Sequence, residues 1–348
     1  MKDTLPPKQF VPTLALVNAG LMIVLTLATV TGVSSAQSRP MATHNTETYL
    51  YDNVLSADPA SRVGGNIYVL DTAHHRVAIF DANGNQLGQF NHGFSSPTGM
   101  ALDASNNLYV KDGNYHCQAD KLNSKGQFLF RFGACDTQGL GLGIFDNIGS
   151  MAVDASGNVW VTSPDFYYMQ KVDGSGNFLS IVCMANVGTG CSIPVTPFLV
   201  QPYGIALDRS GNIYVTNVDQ ATGYCVVKFN SSGVYLSTFG SSGSGDGQFT
   251  YPQNLAIDST GDIYVADTGN NRIQKFGPNG KYLSQFGSFG SGDGQFNNPV
   301  GLAFDPEGNI YVSDVNNDRI QKFSSSGTYL SQFGNGLLFG PNAVAVRK

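Results

Sequence analysis

The chain has 348 residues, 42 of them glycine, with only 13% charged and 11% aromatic. That composition suits short strands joined by tight turns and argues against long helices or a disordered chain. The formal net charge is −6, and the first 36 residues contribute only Lys2, Asp3 and Lys8, so the remainder is acidic too and would repel a nucleic acid.

From the amino end, Lys2 and Lys8 precede an apolar run from Val11 to Val33, followed by the small residues Ser34, Ser35 and Ala36. This is the pattern of an export signal cleaved before Gln37, although the run is nearly long enough to span a bilayer. Residues 1–36 are therefore expected to be a signal peptide or an uncleaved membrane anchor. Either one leaves the rest secreted, periplasmic or at the cell surface, touching a membrane only through this segment. Residues 37–63 fit no repeat and read as an irregular linker, and residues 64–348 read as one domain.

Across that domain one segment returns, with its aromatic at Tyr68, Tyr109, Trp160, Tyr214, Tyr264 and Tyr311. The intervals of 41, 51, 54, 50 and 47 residues hold four strands and their turns. In the clearest copy, Asp258-Ser259-Thr260-Gly261 separates the first and second strands, and Gly277-Pro278-Asn279-Gly280 the third and fourth. Each turn ends in the glycine that a left-handed position favours, and Asn106 takes that place in the second repeat. The second strand, Ile263-Tyr264-Val265-Ala266, is apolar on both faces, whereas the fourth, Tyr282-Leu283-Ser284-Gln285-Phe286, is mixed. That gradient predicts radial blades whose inner strands are covered on both sides. The first repeat begins at its second strand, Gly65-Asn66-Ile67-Tyr68, and residues 340–346 supply a first-strand pattern with nothing after it. The C-terminal strand is therefore expected to close an all-β, six-bladed propeller of four antiparallel strands per blade.

The segments YVADTGNNRIQKF (264 to 276) and YVSDVNNDRIQKF (311 to 323), with the GSGDGQF connections at 243 to 249 and 290 to 296, resemble NHL repeats. The resemblance extends over residues 64 to 346, and it is to six-bladed propellers of the kind that bacteria and archaea secrete or anchor at their surface. The arginine of the motif is Arg76, Arg272 and Arg319 in the strong copies but Tyr168 in the third repeat and Cys225 in the fourth.

The resemblance implies one of two functions. The first is an extracytoplasmic binding scaffold, a monomeric ring presenting a loop face to a protein or other cell-surface partner. The second is a metal-dependent lyase or hydrolase with its site at the channel mouth. All five histidines fall between His44 and His116, so three spaced blades cannot each supply one to zinc. A lopsided zinc or calcium site would have to draw on Asp71, His75, Asp112 and His116, and no cofactor is expected. The calcium alternative also lacks glutamates, Glu47 and Glu307 being the only two and both away from the channel pattern. No G-x-S-x-G, phosphate-cradling helix or paired nucleophile and base is present, so no catalytic residue is assigned.

The expected binding face comprises the loops between second and third strands: His74, His75, Arg76, Tyr115, His116, Phe166, Tyr167 and Tyr168, with Arg272 and Arg319 at the motif position. Tyrosine, histidine and arginine are common interface anchors. Of the five cysteines, Cys183 with Cys191 is the first expected disulfide and Cys117 with Cys135 the second, leaving Cys225 as a buried odd thiol.

Overall fold

The runs Ile67–Asp71, Ile263–Asp267 and Ile310–Asp314 are buried along their whole length, as the lack of polar alternation in these second strands requires. In the computed structural model of the protein the residues described are 65–112, 117–135, 143–145, 147–165, 167–183, 201–219 and 223–347. Residues 1–63, Tyr115, His116, Phe166, Cys191 and the side chains of Cys135 and Cys183, on which several expectations rest, lie outside them. Among the described residues no helix is long and apolar enough to cross a membrane.

Six antiparallel four-stranded sheets follow one another along the chain. Their first strands are Pro341–Val346, Pro97–Leu102, Met151–Val153, Pro202–Leu207, Pro252–Ile257 and Pro299–Phe304. Each first strand lies against those of the two adjacent blades, and the circle shuts where Pro341–Val346 meets Pro97–Leu102. Blade one is completed across the chain ends, with Ile67 opposite Val346, Tyr68 opposite Ala345 and Val69 opposite Val344. The Arg347 N–H also donates to the Asn66 carbonyl at 2.9 Å.

The sheets pack face to face through the repeat aromatic. Tyr68, Tyr109, Trp160, Tyr214, Tyr264 and Tyr311 are among the largest fully buried side chains. In five blades a lysine from the third strand lies over this ring, as Lys275 does 5.0 Å from the Tyr264 centroid, and four of these lysines also pair with an aspartate in the first turn or, for Lys275, with Asp262 just after it. Wedges from the connections between blades fill the gaps: Phe94, Phe145, Phe249, Phe296 and Leu338 are all buried.

The turns between third and fourth strands fit against the sheet of the preceding blade closely enough to fix their sequence. Gly327 has φ +83°, and a Cβ there would sit 2.6 Å from the Phe286 Cδ1. Both the left-handed backbone and the contact forbid a side chain. Gly327→Ala is expected to cost about 2 kcal/mol or more in urea unfolding, against a few tenths for an ordinary surface change.

Candidate functional site

The strand directions divide the ring into two faces. The turns joining first to second and third to fourth strands lie on a lower face, and the loops joining second to third strands share an upper face with the connections between blades. The lower turns are alike: the carboxylates of Asp103, Asp154 and Asp208 each accept the backbone N–H groups two and four residues ahead, at 2.8 to 2.9 Å. The upper face varies from blade to blade.

The aspartate ending the second strand organises that upper face. Asp71 accepts from the Phe339 N–H at 2.8 Å, Asp112 from the N–H groups of Ser95 and Ser96 at 3.0 and 2.8 Å, and Asp267 and Asp314 from those of Thr250 and Asn297 at 2.7 Å. Each pins the incoming connection between blades. In three blades the motif arginine binds the same carboxylate, Arg76, Arg272 and Arg319 reaching Asp71, Asp267 and Asp314 at 2.7, 2.8 and 2.8 Å. Arg319 also donates to the Gly292 and Gln295 carbonyls and to Gln332.

These contacts correct several sequence expectations. Arg272 and Arg319, expected on a binding face, are 7% and 3% exposed, with their guanidinium groups bonded inside the blade. Arg76 is only partly exposed and bonds to Asp71, Gln89 and the Leu337 carbonyl. Tyr168, expected in a loop, begins the third strand Tyr168–Val172 and is 6% exposed in the core of its blade. All four occupy one register position at the head of the third strand, which faces inward.

His74 remains exposed, and its Nδ1 lies 2.8 Å from Asp71, where the equivalent Asn270 and Asn317 donate to their aspartates. His75 and Tyr167 hold the left-handed corner of the loop, φ 55° and 56°, which Asn271 and Asp318 occupy elsewhere. Of the metal candidates, Asp71 and Asp112 are thus engaged by backbone and side-chain donors and His75 turns the chain. Among the described residues no group of three His, Cys, Asp or Glu is placed to hold a metal ion.

The sequence reading missed two features. The first is a set of exposed apolar side chains in the connections between blades: Phe289 (69% exposed), Phe339 (57%), Leu337 (44%) and Tyr251 (40%). Phe339 lies against His74, ring centroids 6.2 Å apart, and Tyr251 against Tyr224 at 5.1 Å. Tyr251 sits at φ 48°, where the next repeat places Asn298 at φ 64°. Comparison of the near-identical repeats would have found them, since Phe289 corresponds to Ser242 and Tyr251 to Asn298.

The second is a cavity of about 250 Å³ at the upper mouth of the central channel, bordered by Lys111, Ser150, Tyr203, Asn254, Asn298 and Asn342. Lys111 lies on the second strand Leu108–Asp112, and its Nζ donates to the Asn147 Oδ1 at 3.2 Å. Burial pushes its ammonium down to about 8, opposed by the charge of Asp165. The Tyr203 hydroxyl is pushed up by the same causes, burial first and Asp165 second.

Cys117 is disulfide-bonded. Cys225 is free and half-buried, and burial pushes its thiol up to about 11, which keeps it protonated and inert near neutral pH.

Comparison with known proteins agrees with this architecture. The NHL repeat family matches residues 249–276 and 296–323, and a beta-propeller repeat family matches residues 199–216. NHL repeat-containing protein 3 of Mus musculus is 33% identical over 122 residues, 34% of each chain. The peptidylglycine alpha-amidating monooxygenase of Rattus norvegicus is 32% identical over 205 residues, 51% of this chain and 20% of that one. The chain thus spans 34% and 20% of the length of these two curated relatives. Among solved structures, a protein of unknown function from Bacteroides caccae superposes with a TM-score of 0.60 at 15% identity, over 82% of this chain and all of that one. A streptogramin B lyase reaches 0.50 at 16% identity, over 71% and 70% of the two chains, and at such identity each likeness speaks for the fold alone. With six closed blades, the motif arginine paired to its aspartate in three of them, and the family's repeats at 249–276 and 296–323, the protein is a six-bladed β-propeller that carries NHL repeats.

Proposed function

We propose that the protein is an extracytoplasmic binding scaffold that takes a protein or other cell-surface partner on the upper face of its ring. The distribution of exposed apolar side chains carries this reading. Apart from Val234 at the end of one lower turn and a regular row along the outermost strands, which includes Leu236, Leu283 and Leu330, the large exposed apolar residues of the described chain are Tyr251, Phe289, Leu337 and Phe339. All four are on the upper face, in connections held rigid by Asp267, Asp314 and Asp71. Exposed aromatics on rigid supports are what partner recognition uses, because little ordering entropy is lost on contact. Val234 apart, the lower face offers polar turns whose groups already bond to one another. The backbone at Tyr251 points the same way, since a tyrosine held left-handed costs about 1 kcal/mol that an asparagine would avoid. The disulfide of Cys117 supports an oxidising compartment.

The test uses residues that the fold already accepts. Phe289→Ser with Tyr251→Asn gives each of two successive connections between blades the residue that the other carries at that position, Ser242 and Asn298. Photo-crosslinking of purified protein to intact cells is expected to yield a discrete adduct that this double variant loses at least tenfold, with a melting temperature equal to or above the parent's. An adduct retained in the double variant, and lost instead with Lys125→Glu and Arg209→Glu on the lower turns, would reverse the choice of face.

A further inference from the structure

Lys111 is the wrong residue for its place unless something charged meets it. The equivalent positions on the other second strands hold Leu70, Thr162, Thr216, Ala266 and Ser313. Three of these stitch the channel wall: Thr162 donates to the Tyr203 carbonyl and Thr216 to the Gln253 carbonyl, both at 2.7 Å, and Ser313 accepts from the Gly301 N–H at 2.6 Å. Leu70 and Ala266 fill the position with hydrocarbon, so the fold has no need of a cation there.

Nor does Lys111 play the part that lysines play elsewhere in the ring. Lys121, Lys171, Lys275 and Lys322 each lie over a repeat aromatic and within 3.6 Å of an aspartate oxygen. Among the described residues Lys111 has no carboxylate within 4 Å, and its one hydrogen bond goes to the neutral Asn147 amide. A largely buried ammonium with no carboxylate at pairing distance is costly, and a bound anion would offset the cost.

The cavity in front of it states which anion. Its border of Ser150, Tyr203, Asn254, Asn298 and Asn342 supplies neutral donors and acceptors, with a single positive charge and Asp165 opposing from outside. One cation facing neutral amides balances one negative charge, whereas a phosphate dianion would call for more. About 250 Å³ falls below the volume of a site for a drug-sized ligand, and suits a molecule of metabolite size. We propose that the upper channel mouth binds a small organic monocarboxylate, its carboxylate paired with Lys111 and its polar substituents met by the surrounding amides and hydroxyls. The site lies inside the ring and does not depend on the exposed aromatics of the face above.

Isothermal titration calorimetry on the full chain at pH 7 tests this with a panel of C2 to C8 monocarboxylates, plain and hydroxylated, beside their uncharged carboxamides and inorganic phosphate. At least one carboxylate is expected to bind with a Kd below about 1 mM, and its carboxamide at least tenfold more weakly. Lys111→Met, which keeps the stem and resembles Leu70 of blade one, should lose that binding at least tenfold and melt no lower than the parent. Should it fail to fold, Lys111→Gln serves the same comparison. Phosphate binding more tightly than every carboxylate would make this an inorganic anion site and overturn the proposal. So would a panel with no binder, or a carboxylate held equally by the variant. The Phe289→Ser, Tyr251→Asn variant should bind the carboxylate like the parent, so each proposal can fail without the other.

Discussion

Deleting residues 338–348 is expected to abolish the folded ring, a far larger effect than trimming a chain end usually has. The deletion removes the whole innermost strand of blade one and leaves Ile67–Asp71 with an open ladder edge facing the channel. It also takes away Leu338, Ala343, Val344 and Val346, all under 8% exposed and packed against two adjoining blades. At about 1.5–3 kcal/mol for each of the three larger aliphatic side chains, the loss approaches the 5–15 kcal/mol on which a typical domain stands. Near-ultraviolet circular dichroism and thermal melting would show it, with the cooperative transition gone or displaced by tens of degrees. An unchanged melt would mean that the ring closes in some other way, and the count of six blades would fall with it.

Arg272→Met is expected to cost about 3–5 kcal/mol, since it leaves the carboxylate of Asp267 buried without its cation. The parent already shows tension at that carboxylate. Burial pushes the Asp267 carboxyl above its ordinary value, in spite of donation from Thr250, Asn270 and Arg272. A carboxyl raised in this way favours the folded state when protonated, and that advantage is lost as the pH rises through its folded value. Removing Arg272 raises it further, so the deficit of the variant should be largest near neutrality and should narrow as the pH falls toward the ordinary carboxylate range. Urea unfolding at a series of pH values checks both the size and the slope. A deficit below 1 kcal/mol, or one that widens in acid, would show that the arginine contributes packing rather than charge.

The same arginine shows where sequence reasoning stopped. The blade count and the closure were legible because they rest on periodicity, with the aromatic from Tyr68 to Tyr311 marking one strand per blade and residues 340–346 matching a pattern missing from the start. The direction of a side chain at a loop's edge was not. Arg272, Arg319 and Tyr168 follow a polar loop and read as part of it, yet each is the first residue of a third strand, turned inward toward the aspartate position opposite. Only pairing shows that, and pairing joins residues that the repeat pattern considers separately. Lys111 was legible in principle, being a charge within Leu108–Asp112 where every other blade has an apolar or hydroxyl side chain. It was passed over because attention to histidines and carboxylates leaves a lone amine unremarked.

Closure across the chain ends also sets an order of events during synthesis. Ile67 is among the first residues of the ring to be made and Val346 among the last, yet they face each other on one sheet. At about 5–20 residues per second, blade one waits on the order of ten seconds or more for its missing strand while the others are still being added. Throughout that interval its edge is open to any extended segment nearby, and a second nascent chain presents the same Pro341–Val346 strand to it. The contact that makes the finished ring continuous is therefore also the one through which two unfinished rings could exchange ends, and the chance of that exchange depends on how closely spaced the chains are as they are made.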